Sequence, residues 1–463
     1  MKGARLALVL VVAMGLMGPV SALRVDAAPK AQPALLRTVA EHPDAKVAVI
    51  VQKATRDDSA EQAVAALGGM VTRDLRIINA FAARMPAKAV SRLAADNSVR
   101  WVSLDAPVAK ASEGCDLCVD TSHLTNAYDR AVGADRVWNS APYLQGQGVT
   151  VAVVDSGVSS AHRDLQDGSG ASRVVAQVRL STTPMTTTQT VNDLYGHGSH
   201  VAGIIGGNGD RSSQKYMGIA PRVNLVNVKV GDDLGGVNTS DVVAGLQWVY
   251  DNRTIYNIRV VNLSLTATEV ESYNTSPLDA AVEILWFSRV VVVVAAGNNG
   301  TGLGPVAIFP PANDPFAITV GATNDMGTAS TSDDTLASFS AYGLTEAGVA
   351  KPDLVAPGVN IISTLAGRSD RLAQLHANHV VDNDYFRMSG TSMAAPVVAG
   401  AVALLLQDEP TLNPDQVKYR LVSTARPLGV LSTGGSYLDI YAAVTGSSTA
   451  TANTGIPASQ LLW

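Results

Sequence analysis

Ser392 lies in RMSGTSMAAP, where Thr391 and Ser392 separate Gly390 from a run of small apolar residues. A hydroxyl at such a point usually caps a helix. The VVAGAVALLLQ that completes the run is apolar throughout, so the helix is buried and Ser392 stands at its mouth. The first N–H groups of a helix lack partners within it and carry partial positive charge. A serine there has a second use: its Oγ can face a carbonyl while its own N–H faces the oxyanion that attack creates. Taken alone, Ser392 reads as a cap before it reads as a nucleophile.

Three other positions suit the same acyl-transfer chemistry. His197 sits in YGHGSHVAGIIGG between Gly196 and Gly198, which leave room for a ring and a ligand. His200, three residues on, shares its helix face. A metal pair would place its histidines at i and i+4 around a glutamate, which this stretch does not, so His200 reads as a hydrogen-bonded core histidine. Asp155 follows VTVAVV, where a poorly solvated carboxylate can orient an imidazole and stabilise its charged form; capping the next element is the plainer use. Asn298 follows VVVVVAAG and can donate its amide to the oxyanion, although NNG also suits a left-handed turn.

The elements that must position these residues show in the pattern of apolar runs. VTVAVV, VNLVNVKV, RVVNLSL and RVVVVVAA lack alternation, as strands buried on both faces do. Helical patterns lie between them, one from Thr239 or Ser240 through Val242, Val243, Leu246 and Val249, another from about Pro277 to Phe287. A later helix begins at Asn413-Pro414. Alternating strands and helices predict an α/β fold: a mainly parallel twisted sheet with helices on both faces. Such sheets bind ligands beyond the carboxyl ends of their strands, where Asp155 and Asn298 fall.

Upstream, residues 46–103 read strand, helix, strand, strand, helix, strand, which suits a small α+β ferredoxin-like unit. We divide the chain into a signal peptide (1–28), this unit (29–106), a linker (107–129), a main domain (130–446) and a Ser/Thr-rich flexible tail (447–463). Lys2 and Arg5 precede LALVLVVAMGLMGPVSA, a run interrupted by glycine and proline and short for a span, so it reads as an export signal and predicts a soluble, secreted product.

Of 463 residues, 47% are hydrophobic and 16% charged, which excludes a mainly disordered chain; a net charge of −6 without a basic block excludes nucleic acid as a main partner. Cys115 and Cys118 are the only cysteines. Zinc would need two more ligands, and after export a local disulfide is the plainer reading.

Taken together, VAVVDSGV, GHGSHVAG, VVAAGNNG and GTSMAAPVVAG resemble the subtilisin-like serine proteases, in that family's order of Asp, His and Ser. SSAHRDL, PPANDPFAITVGA and KPDLVAPGVNI extend the resemblance over about 130–446. It implies a triad of Asp155, His197 and Ser392, with Asn298 in the oxyanion hole and Ser264, Leu265 and Thr266 pairing with a polypeptide substrate. It implies no required cofactor and leaves room for structural calcium, although no loop has EF-hand spacing. Residues 46–103 are similar to the inhibitor-type propeptide, carried by KVAVIVQ and INAFAARMPAKAV. A self-processed zymogen is then expected, inhibited by its own prodomain and cut between Ala106 and Asn126. The sequence departs from the family pattern in two places. Ser199 stands where Thr is usual, and Thr266 where Gly is usual, which predicts a narrowed specificity pocket. The rival reading from another class is a catalytically silent peptide-binding relative. A lipase or esterase would place its serine in G-x-S-x-G, which G-T-S-M-A is not.

Overall fold

The computed structural model describes residues 30–110, 126–182, 190–300, 308–428 and 435–459. The signal-like run over 1–28, Cys115 and Cys118, and the closing QLLW lie outside these residues.

Valines and alanines at alternate positions build the amino-terminal unit. It contains α1 (Pro33–Glu41), β1 (Lys46–Lys53), α2 (Ser59–Ala66), β2 (Met70–Leu75), β3 (Ala80–Pro86), α3 (Val90–Ala94) and β4 (Val99–Leu104). The sheet order is β2-β3-β1-β4, with β1 antiparallel to both neighbours. Odd positions of β1 (Val47, Val49 and Val51) pack with Phe81, Met85, Val64 and Leu93 on the helical side. Ile50, Ala80 and Ala82 face the other way and share a buried cluster with Leu246, Val249, Leu278 and Leu285 of the main domain. This period-two split is what lets one thin sheet serve two cores.

Where the sequence predicts a linker from 107, the chain instead runs on as β5 (Pro107–Lys110). The short helices α4 (Tyr128–Ala131) and α5 (Ala134–Asn139) then lead into the main sheet. Its first strands are β6 (Thr150–Asp155), β7 (Val174–Arg179) and β8 (Asn224–Lys229). The two-residue β9 (Val237–Asn238) lies outside it. The sheet continues with β10 (Ile258–Leu263), β12 (Val291–Ala295) and β13 (Ile318–Asn324) and is completed by Leu354–Pro357 and Ser436–Tyr437, while β11 (Leu265–Ala267) lies outside it with β9. From the far edge the order is Ser436–Tyr437, Leu354–Pro357, β13, β12, β10, β6, β8, β7, all parallel. The four predicted buried runs are β6, β8, β10 and β12.

Helices α6 (His197–Gly206), α7 (Thr239–Asn252), α8 (Pro277–Phe287), α9 (Arg371–Leu375), α10 (Thr391–Asp408), α11 (Pro414–Thr424) and α12 (Ile440–Thr445) follow. α6 and α10 pack in the core on one face of the sheet, and α7 and α8 in that on the other. Their starts follow local chemistry. Ser276 accepts from Asp279 N–H with Pro277 in the first turn, and Asn413 and Gln416 form a capping box.

Two features differ from the sequence reading. β5 pairs antiparallel with β11 on one side and β9 on the other. Its four residues are extended because both neighbours offer an unpaired strand edge, a tertiary fact that composition does not carry. Residues 447–459, read as a flexible tail, lie against the main domain and end in a fully buried Ser459.

Candidate active site

β6 ends at Asp155, which is 2% exposed and sits at the carboxyl edge of the sheet. α6 opens on His197, which is fully buried. Its Nδ1 lies 2.8 Å and 2.9 Å from the two Asp155 oxygens. The geometry depends on two glycines. Gly196 holds φ at +109°, and a Cβ on Gly198 would stand 2.2 Å from Gly157 O and 3.0 Å from the Asp155 Cβ. No larger residue allows the carboxylate and the ring to approach in this way.

The turn before His197 is clamped by Asp193, which the sequence reading missed. Its Oδ1 accepts from Ser156 Oγ and from Tyr195 and Gly196 N–H, and its Oδ2 from Ser199 N–H. The only hint in sequence is an aspartate four residues before the histidine. His200 is a core residue as expected: Nε2 faces Ile361 O and Phe386 O at 3.1 and 2.9 Å, and burial pushes its pKa down to about 3.

Ser392 is the second residue of α10. Gly390 takes the cap position, so Ser392 is not the cap that its type suggests. Its Oγ donates to Ser264 O at 3.1 Å, while Ser264 Oγ donates back to Ser392 O at 2.9 Å. Asn262 Nδ2 donates to Ser264 Oγ at 2.9 Å, which fixes that hydroxyl from behind. α6 and α10 pack on one another, so His197 and Ser392 start neighbouring buried helices. The other His197 nitrogen, Nε2, is buried without a hydrogen-bond partner among the described residues.

Asn298 follows β12 after Ala296 and Gly297. Its Oδ1 accepts from Thr391 N–H and Thr391 Oγ, both at 2.9 Å, and Gly297 N–H donates to Thr391 Oγ at 3.1 Å. The amide oxygen is therefore tied to the start of α10, and Nδ2 is the end turned elsewhere. Thr391, adjacent to Ser392, is the partner that the sequence reading did not assign.

β5 lies beside these groups. Val108 is opposite Ala267, Ala109 opposite Thr266, and Lys110 opposite Leu265. From Pro107 to Lys110 it runs toward the Leu265 end of β11. Several contacts hold the amino-terminal unit at this edge. Asp105 Oδ1 accepts from Ser240 N–H at 2.9 Å, Arg73 Nη2 is 3.0 Å from Asp241 Oδ1, and Ser103 Oγ donates to Glu271 at 3.2 Å. Among the described residues no group of three or more His, Cys, Asp or Glu is arranged to hold a metal ion.

Residues 146–451 match the subtilase family (Peptidase_S8). The chain is 40% identical over 303 residues to the serine protease AprX of Bacillus subtilis, covering 64% of this chain and 65% of that relative. It is 35% identical over 367 residues to subtilisin NAT of Bacillus subtilis subsp. natto, covering 78% and 79%. Among solved structures it is similar to fervidolysin from Fervidobacterium pennivorans, with a TM-score of 0.63, 24% identity, and coverage of 87% of this chain and 61% of that one. With a parallel sheet that brings an aspartate, a histidine and a serine to one edge, the chain belongs to the subtilase family of serine endopeptidases.

Proposed function

We propose that this chain is a secreted endopeptidase made as a self-processed zymogen, with Asp155, His197 and Ser392 as its triad. The observation that carries the reading is the Asp155–His197 pair, closed at 2.8 and 2.9 Å and buried beside the start of the Ser392 helix. With Nδ1–H donated to Asp155, the lone pair of Nε2 is free to take a proton. The proposed mechanism requires a rotation about the Ser392 side-chain bond that takes Oγ from Ser264 O to Nε2. Ser392 Oγ then attacks the peptide carbonyl as its proton passes to His197. The proton goes on to the leaving amine, and water repeats the sequence on the acyl-enzyme. Asp155 stabilises the imidazolium. Asn298 Nδ2 and the Ser392 N–H, near the start of α10, receive the oxyanion.

β5 supports the substrate roles of Ser264, Leu265 and Thr266, since it pairs along β11 as an added peptide strand would. It also supports the amino-terminal unit as an intramolecular inhibitor that delivers its own chain to the serine. From the register, the self-cleavage falls within two residues of Lys110. The small Thr266–Gly297 gap supports a restricted pocket on the acyl side. The apolar amino-terminal run and the relatives support export.

The test is casein hydrolysis and fluorophosphonate labelling of the purified protein beside Ser392→Ala. We expect both signals from the parent and neither from the variant, which should also keep its amino-terminal unit attached. A folded parent that neither labels nor cuts is a silent peptide binder, and the reading fails.

A further inference from the structure

Residues 447–459 form neither helix nor strand, yet they are fastened at every few positions. Arg420 Nε donates to Ser448 O at 2.8 Å, Ala452 N–H to Asp415 O at 3.0 Å, and Asn453 Nδ2 to Asp415 Oδ1 at 2.8 Å, all on α11. Ile456 and Ala458 rest on the main core. Tyr273 OH then donates to Pro457 O at 3.3 Å. Ser459 N–H donates to both Glu283 oxygens, at 3.1 and 2.9 Å, and its Oγ donates to Asn274 O at 2.9 Å. Glu283 lies on α8 and is fully buried; burial and the nearby Asp314 raise its carboxyl pKa, so the acid accepts the Ser459 N–H without a counter-charge.

Tyr273 and Asn274 belong to the loop 268–276, which connects β11 to α8. The same loop meets the amino-terminal unit on another side. Thr268 Oγ donates to Pro107 O at 3.1 Å, and Glu271 receives Ser103 Oγ. The carboxy-terminal segment and β5 therefore both hold this loop, which Glu346 also holds by accepting Tyr273 N–H at 2.8 Å.

We propose that residues 448–459 are a positioning element of the acyl-side cleft, with Pro457 and Ser459 holding the 268–276 loop so that β11 presents a fixed edge to a peptide. Asp155 on β6, His197 on α6 and Ser392 on α10 are anchored elsewhere. The segment thus governs how firmly a peptide docks and leaves the bond-breaking rate alone. This rests on the endopeptidase reading.

The test uses the full chain. Ser459→Pro removes both the N–H that Glu283 accepts and the Oγ that Asn274 O accepts, Ser459→Ala removes only the Oγ, and Ser459→Thr keeps both. For the processed enzyme on a peptide amide, loss of the N–H and Oγ hydrogen bonds together predicts a KM at least about 3- to 10-fold higher in Ser459→Pro with kcat within about twofold, a smaller rise in Ser459→Ala, which loses one, and a value near the parent's in Ser459→Thr. An unchanged KM, or a kcat that falls as far as kcat/KM, overturns the proposal. Hydrogen exchange in the Ser392→Ala background needs no turnover. There Ser459→Ala should speed exchange over residues 265–276 and leave α6 and α10 protected; unchanged loop exchange overturns the proposal. A parent that hydrolyses no peptide defeats the activity reading instead, and the exchange result still decides the role of the segment.

Discussion

Replacing Thr266 with glycine should open the enzyme to aromatic residues before the cut. Thr266 Cγ2 stands 4.0 Å from the point that a Cβ on Gly297 would occupy. That point lies about 1.5 Å from the Gly297 Cα, so the gap between methyl and Cα is at most about 5.5 Å. A flat ring needs about 3.5 Å to each wall, or about 7 Å in all. If Thr266 and Gly297 wall the acyl-side pocket as proposed, a gap of this width suits alanine or serine and rejects phenylalanine. Thr266→Gly removes the methyl, the hydroxyl and the Cβ, and a strand paired through its backbone survives that loss. Burying a phenylalanine side chain contributes about 1.5–3 kcal/mol, equivalent to about 10- to 150-fold in affinity. The assay is kcat/KM for two peptide amides that differ only in Ala or Phe at the residue before the cut. We expect the Phe-to-Ala ratio to rise by about 10- to 100-fold. A ratio that moves less than about twofold, or that rises only because alanine cleavage collapses, refutes the argument that Thr266 forms the wall.

Asn298→Ala should lower kcat by about 10²- to 10³-fold with little change in KM, the loss seen when a subtilisin loses its oxyanion-hole asparagine; burst kinetics on an ester substrate would read it. Gly198→Ala should destabilise the fold and abolish hydrolysis, because the added Cβ would lie 2.2 Å from Gly157 O; thermal melting and casein plates check both. Burial raises the Glu271 carboxyl pKa from 4.5 to about 8. The folded zymogen thus holds a proton there that the unfolded chain releases, so this contribution to stability falls as pH rises between those values. In the Ser392→Ala zymogen, Glu271→Gln should flatten the decline of melting temperature over that range; an unchanged slope would reject the assignment.

The sequence was most legible where physics is local. Valine runs without alternation have few homes other than a doubly covered sheet, and β6, β8, β10 and β12 lie where those runs do. Asn413-Pro414 and Ser276-Pro277 start their helices because capping depends on residues three positions apart. His200 was assigned to the core because its spacing from His197 suits no metal pair. Less was legible wherever a partner comes from far along the chain. Asp193 looks like any loop aspartate until four donors converge on it. Thr391 is known as the partner of Asn298 only once α10 meets the end of β12.

By itself the sequence determined the α/β class and the residue types able to do acyl transfer, because periodicity and capping act within a few residues. Only the tertiary structure decided which carboxylate holds which imidazole, that Pro107–Lys110 runs as a strand between β9 and β11, and that a polar carboxy-terminal segment is pinned by Ser459. Each of those depends on groups about 40 to 180 residues apart in the chain, and their meeting is set by how sheet, helices and loops close on one another.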